Sequence, residues 1–125
     1  MLKDSFPFSS FSTNDLSLTY NFYREVLGLE VELIDNRFLH LYLPSGSYVV
    51  IYTKNNHRPS SYTVLNFQIK DIESKVDELS RKGVKFEQYG PPIKTDAKGI
   101  SWDDEGSHIA WFKDPGGNIL GLIEN

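Results

Sequence analysis

Three histidines, His40, His57 and His108, are the side chains here best suited to proton transfer, because imidazole titrates near neutral pH. None shares a short ligand spacing with another histidine or with a pair of carboxylates, so no zinc-type signature is written in the chain. His40 and His108 have no recognisable orienting partner in the sequence and read as hydrogen-bonded structural histidines. There are no cysteines, which removes disulfides, thiolate nucleophiles and thiolate metal ligands. Neither a nucleophile–base constellation nor a phosphate-cradling loop stands out, and Gly116-Gly117 serves a turn.

Recognition chemistry is better represented. Trp102 lies in Ile100-Ser101-Trp102-Asp103-Asp104-Glu105-Gly106, which reads as a loop carrying three carboxylates. An indole face beside acidic groups can hold a flat cation, and loops carry function more often than they need a Trp. The carboxylate run by itself is a solvated turn. Trp111 falls in the last hairpin and reads as core packing.

The elements that must position these groups come in two matching sets. Phe11-Ser12-Thr13-Asn14-Asp15-Leu16 leads into a helical pattern ending at Leu27-Gly28, then Leu29-Glu30-Val31. Phe67-Gln68-Ile69-Lys70-Asp71-Ile72 leads into another ending at Lys82-Gly83, then Val84-Lys85-Phe86. Asp15 precedes Gly28 by 13 positions and Asp71 precedes Gly83 by 12, so the copies are offset by 56 at the aspartates and 55 at the glycines. Matched units of this size indicate an internal duplication. The aspartates cap helix starts, and the glycines supply the left-handed residue that ends a helix. Leu16, Thr19, Tyr20, Tyr23, Val26 and Leu27 recur at helical spacing as one buried stripe, as do Ile72, Val76 and Leu79.

Strand candidates follow each helix. The first set is Glu30 to Ile34, Arg37 to Leu43 and Tyr48 to Tyr52, with a turn at Pro44-Ser45-Gly46-Ser47. The second is Val84 to Gln88, a vaguer strand around Ser107 to Lys113, and Ile119 to Ile123, the last two joined through Asp114-Pro115-Gly116-Gly117-Asn118. Each half reads β-α-β-β-β, which predicts an α+β domain with one helix per half packed on a curved sheet.

Bulk properties narrow the partners. A chain of 125 residues suits a single domain over 1–125, with modules near 5–55 and 60–125, burying about two-thirds of its unfolded surface. The net charge of −4 comes with scattered Lys and Arg, which argues against nucleic acid. No run near Met1-Leu2-Lys3-Asp4-Ser5 is long enough for a signal core or a membrane span, so a cytoplasmic location and no membrane partner are expected.

Two stretches resemble a known family. Asp15-Leu16, Phe22-Tyr23 and Val26-Leu27-Gly28-Leu29 are similar to the first helix of vicinal oxygen chelate proteins, the glyoxalase, bleomycin-resistance and extradiol-dioxygenase superfamily. Trp111-Phe112-Lys113-Asp114-Pro115-Gly116-Gly117-Asn118-Ile119-Leu120 resembles their closing hairpin, and Pro92 to Ile100 resembles a branch of bacterial glyoxalase-like proteins. The resemblance covers nearly the whole chain. It implies two βαβββ modules forming a curled mixed sheet around a cup, helices on the outside, and pairing into a homodimer.

Catalytic relatives hold one divalent ion through four cup positions drawn from His, Gln and Glu, where it stabilises an enolate or oxyanion. Carried over by offset from Asp15 and Asp71, from the strand at Tyr48 to Tyr52 and from Gly117, those positions fall on Phe8, Val64, Val50 and Gly121. None offers a side-chain lone pair, so neither metal nor cofactor is expected. By strand alternation the cup would be lined by Phe8, Ser10, Ser12, Tyr48, Val50, Tyr52, Val64, Asn66 and Gln68, with Trp102 as a stacking group beside it. The implied function is capture of a small aromatic or cationic molecule in a metal-free cup. The alternative is a metal-dependent lyase, isomerase or dioxygenase with relocated ligands. A third reading uses the fold only for dimerisation.

Overall fold

Helix caps and closing turns set the frame in both halves. The computed structural model describes residues 1–103 and 105–125, so Asp104 of the Trp102 segment lies outside the described residues. The chain divides into compact units Met1–Arg58 and Pro59–Asn125, each a β-α-β-β-β run with its own four-stranded mixed sheet. The architecture is α+β. Among the described residues no helix is long and apolar enough to cross a membrane.

In the first unit β1 (Ser9–Thr13) is followed by α1 (Leu16–Asn21) and a π-helical segment, Phe22–Val26. Strands β2 (Glu30–Ile34), β3 (Phe38–Tyr42) and β4 (Tyr48–Thr53) complete the sheet in the order β1-β4-β3-β2, with β1 parallel to β4. Asp15 Oδ1 accepts from the Leu18 amide at 2.9 Å, as a capping aspartate should. Gly28 takes φ +71° where the chain leaves the helical run.

The expected six-residue stripe is only partly realised. Leu27 N–H donates to Phe22 O, five residues back, and this wider turn rotates later side chains off the α-helical face. Thr19 and Tyr23 are buried, whereas Leu16, Tyr20, Val26 and Leu27 are half-buried. Thr13 Oγ1 and Thr19 Oγ1 lie 2.8 Å apart, which ties the helix to one face of the sheet. Leu39, Leu41, Val49 and Ile51 are buried on that same face by strand parity.

The second unit runs β5 (Thr63–Gln68), α2 (Ile72–Arg81), β6 (Ile100–Trp102), β7 (His108–Lys113) and β8 (Ile119–Glu124). Its order is β5-β8-β7-β6, with β5 parallel to β8. Ile72, Val76 and Leu79 of α2 are buried as expected, each contributing roughly 1.5–3 kcal/mol. Asp71 caps α2 through Ser74 N–H at 3.3 Å. The closing turn is self-satisfied: Asn118 N–H donates to Asp114 Oδ1 at 2.9 Å, and Asn118 Oδ1 accepts from Ser60 N–H at 3.2 Å. Those two polar side chains are buried without an orphaned charge, so the turn is structural.

One strand assignment is corrected. Val84 to Gln88 forms only an isolated bridge, Phe86 to Phe112, and the edge strand is Ile100–Trp102. Val84 and Phe86 remain buried, so the alternating pattern reported burial rather than a ladder.

Candidate functional site

Strand register defines the face of each sheet that points away from its helix. In the first unit, Ser10, Val50, His40 and Glu32 pair successively into one row across all four strands. A second row carries Tyr48, Tyr42 and Glu30, and a third carries Ser12, Tyr52, Phe38 and Ile34. Five of the residues expected to line a cup, Ser10, Ser12, Tyr48, Val50 and Tyr52, are therefore placed on one face. Phe8 precedes β1 and joins them by stacking on Tyr48 at 5.0 Å.

Rings dominate this face. His40 stacks on Tyr48 at 4.9 Å with an interplanar angle of 12°, and Phe6 reaches Tyr48 at 5.8 Å. Tyr42 O–H donates to Glu32 Oε1 at 2.5 Å. That hydrogen bond pushes the Tyr42 phenol above its ordinary value, with desolvation and the Glu32 and Glu30 charges adding to it. Tyr42 thus stays protonated and holds Glu32 at the edge of the ring cluster. His57 closes the other end, with Nδ1 2.6 Å from Ser12 Oγ. No local signal announces these pairings: Ser12 and His57 are 45 residues apart, and His40 meets Glu32 only through strand register.

In the second unit the corresponding face carries the row Asn66, Gly121 and Trp111, flanked by Gln68, Ile123, Ile109 and Ser101. Asn66 and Gln68 share it. Val64 behaves differently, because β5 is irregular between Thr63 and Leu65: Thr63 pairs with Ile119 and Leu65 with the next residue, Leu120. Val64 is the extra residue of a bulge, and Thr63 takes the place alternation assigned to it. Trp111 lies on this face, edge-on to Tyr89 at 5.4 Å, and is half-buried.

Trp102 is placed elsewhere. It is the last residue of β6 rather than part of a loop, and it pairs with His108, which pairs with Glu124. By parity all three lie on the opposite side of the sheet from Asn66 and Gln68. The indole packs on His108 at 4.2 Å and donates to Asp96 Oδ2 at 2.8 Å. Burial alone would raise the Asp96 carboxyl. The Trp102 indole and the Ile100 and Lys98 amides outweigh it and hold the group below its ordinary value. Glu124 is also held low, chiefly by the Ile72 N–H at 3.0 Å, against desolvation and with help from the Asp71 N–H and His108.

The divalent ion implied by the resemblance does not fit these residues. Phe8 and Val50 offer no donor atom, nor do Val64 and Gly121. At Gly121 the space is taken: a β-carbon there would stand 2.6 Å from Asn66 Oδ1. Among the described residues no three His, Cys, Asp or Glu side chains converge as a metal site.

Comparison with known proteins agrees with the fold. A family model described as the Glyoxalase/Bleomycin resistance protein/Dioxygenase superfamily matches residues 8–122. A search of curated proteins gives no match. Among solved structures, a glyoxalase family protein from Enterococcus faecalis is 27% identical, with 99% of this chain and 100% of that chain covered and a TM-score of 0.70. A superfamily member from Sphaerobacter thermophilus is 22% identical over 94% of each chain, with a TM-score of 0.69. A lactoylglutathione lyase from Agrobacterium tumefaciens is 17% identical over 98% of this chain and 94% of its own, with a TM-score of 0.67. With two βαβββ units and a model match spanning nearly its whole length, the chain belongs to the Glyoxalase/Bleomycin resistance protein/Dioxygenase superfamily.

Proposed function

We propose that this protein binds a small, flat aromatic or cationic molecule, without a divalent metal, and that the helix-free face of its first unit makes the principal contact. The observation that carries the reading is the ring cluster Phe8, Tyr48 and His40, with Glu32 held beside it by Tyr42. Aromatic faces supply area at low entropy cost and attract a cation. Glu30 and Glu32 on the neighbouring strand add charge of the right sign. Sequestration needs affinity but no transition-state chemistry, so side chains without metal-ligating atoms at Phe8, Val50, Val64 and Gly121 are compatible with it. Pairing into a homodimer belongs to the same proposal, supported by the exposed apolar side chains of Met1, Leu2 and Phe6.

The test is a calorimetric titration with proflavine, a flat cationic dye, repeated on Tyr48→Ala and Glu32→Gln. The expected result is saturable binding, weakened about tenfold or more by Tyr48→Ala, the loss of about 1.4 kcal/mol of stacking. Unchanged affinity in Tyr48→Ala would remove the first unit from the reading. Stoichiometric divalent metal in protein purified without chelator would overturn its metal-free part.

A further inference from the structure

One pair in the first unit has the geometry of a nucleophile and its base. Ser12 Oγ and His57 Nδ1 stand 2.6 Å apart, at the close end of the range over which an imidazole takes a proton from a hydroxyl. The 45 residues between them hide the pair from any short motif. With its ring proton on Nε2, the neutral imidazole presents Nδ1 as an acceptor, and the Ser12 hydroxyl donates to it.

The backbone holds both partners. Ser12 sits on β1, in register with Tyr52 of β4. His57 lies in the turn that follows β4, where Lys54 N–H donates to Thr13 O at 3.1 Å and His57 N–H donates to Lys54 O at 3.1 Å. These amides already tie the turn to β1, so the bond between the two side chains is not needed to fasten the segment. Ser12 and His57 are each half-buried, within reach of a small molecule.

We propose that Ser12 is an acyl-accepting nucleophile, that His57 is its base, and that the pair hydrolyses aryl carboxylic esters. As Ser12 Oγ bonds to the carbonyl carbon, its proton passes to His57 Nδ1. The bond from that carbon to the aryl oxygen breaks, and the departing phenolate takes the proton from His57. Water then attacks the acyl group on Ser12, giving a proton to His57 Nδ1, which returns it to Ser12 Oγ as the acid departs. Ester and water become acid and phenol, with no other reactant. The substrate class follows from the leaving group. A phenolate departs readily, so an aryl ester asks less of acid catalysis and of oxyanion donors than an alkyl ester or an amide does. Tyr52 and Phe38 share the row of Ser12 and offer aromatic surface to the aryl ring.

A covalent adduct tests the assignment. The protein would be treated with 4-nitrophenyl acetate and, separately, with phenylmethylsulfonyl fluoride, and tandem mass spectrometry of the digests would locate the modified residue. The expected result is acylation and sulfonylation of Ser12, with saturable release of 4-nitrophenol. Hydrolysis should fall about a hundredfold or more in Ser12→Ala and in His57→Gln, the loss typical of removing a positioned base. Adducts confined to lysine amines or the N-terminus would overturn the proposal. Hydrolysis at the original rate by Ser12→Ala would do so too, as would undiminished labelling of Ser12 in His57→Gln. The adduct on the unaltered chain decides the matter even if a variant unfolds. Failure of proflavine to bind would leave this result untouched, because the adduct is read without it.

Discussion

The amide oxygen of Asn66 fills the space a side chain on Gly121 would need, since a β-carbon there would lie 2.6 Å away. The two residues are register partners on adjacent parallel strands, so the contact is built into the sheet. Gly121→Ala should displace Asn66 and push on Thr63 Cγ2, 3.4 Å from the same point. The expected cost is about 1 kcal/mol, the low end for overpacking, because Asn66 is exposed and can rotate. Adding Asn66→Ala should recover much of that loss. A double-mutant cycle by urea unfolding measures the coupling, and additive effects would refute the account.

Glu124 makes stability depend on acid. Its carboxylate accepts from the Ile72 and Asp71 amides at the start of α2, which holds its pKa low in the folded state. A depressed folded pKa means the contribution is complete above the unfolded value, about 4.3 for a glutamate, and fades as pH falls through the folded value. His108 Nδ1 lies 3.7 Å from Glu124 Oε1 and faces it from the neighbouring strand. Urea midpoints followed downward from neutral pH should therefore decline less steeply in Glu124→Gln. An identical acid limb would show that the capping carboxylate carries no such role.

Trp102 is tied to Asp96 rather than to a ligand. Asp96→Asn keeps the shape of the turn but removes the charge that accepts from the indole and from the Ile100 and Lys98 amides. A loss of about 1 kcal/mol is expected, at the low end for bonds to a charged group because the site is exposed. Trp102 emission should change in Trp111→Phe/Asp96→Asn relative to Trp111→Phe alone. An unaltered spectrum would mean that the indole does not depend on this bond.

The first unit's core is tight around Leu39, which is wholly inaccessible. Leu39→Ala should cost about 2–5 kcal/mol, the range for a truncated core leucine. Leu33→Ala, on an exposed side chain of the neighbouring strand, should cost far less. The two are register partners on one face, so thermal unfolding of the pair tests whether that face is packed at β3 and open at the β2 edge, and comparable losses would contradict it.

Features that depend only on neighbours along the chain were legible before any strand paired. Asp15 and Asp71 cap helices, Gly28 and Gly83 turn left-handed, and Asp114 to Asn118 closes a hairpin, because each outcome follows from a residue's own backbone preferences and the next few amides. The lack of donor atoms at Phe8, Val50, Val64 and Gly121 was equally legible, since it needs only side-chain identity. The remainder came from long-range pairing. Alternation could not foresee the bulge that displaces Val64, nor that Ile100–Trp102 would take the sheet edge while Val84 and Phe86 were buried without one. The sequence reads Trp102 as a stacking group on a loop and Trp111 as core packing, yet Trp102 ends a strand and register puts the half-buried Trp111 on the opposite face of that sheet. His40 beside Tyr48, and Ser12 beside His57, meet only when strands pair. A one-residue change of register flips every side chain of a strand, and register is fixed by long-range packing that no local window contains.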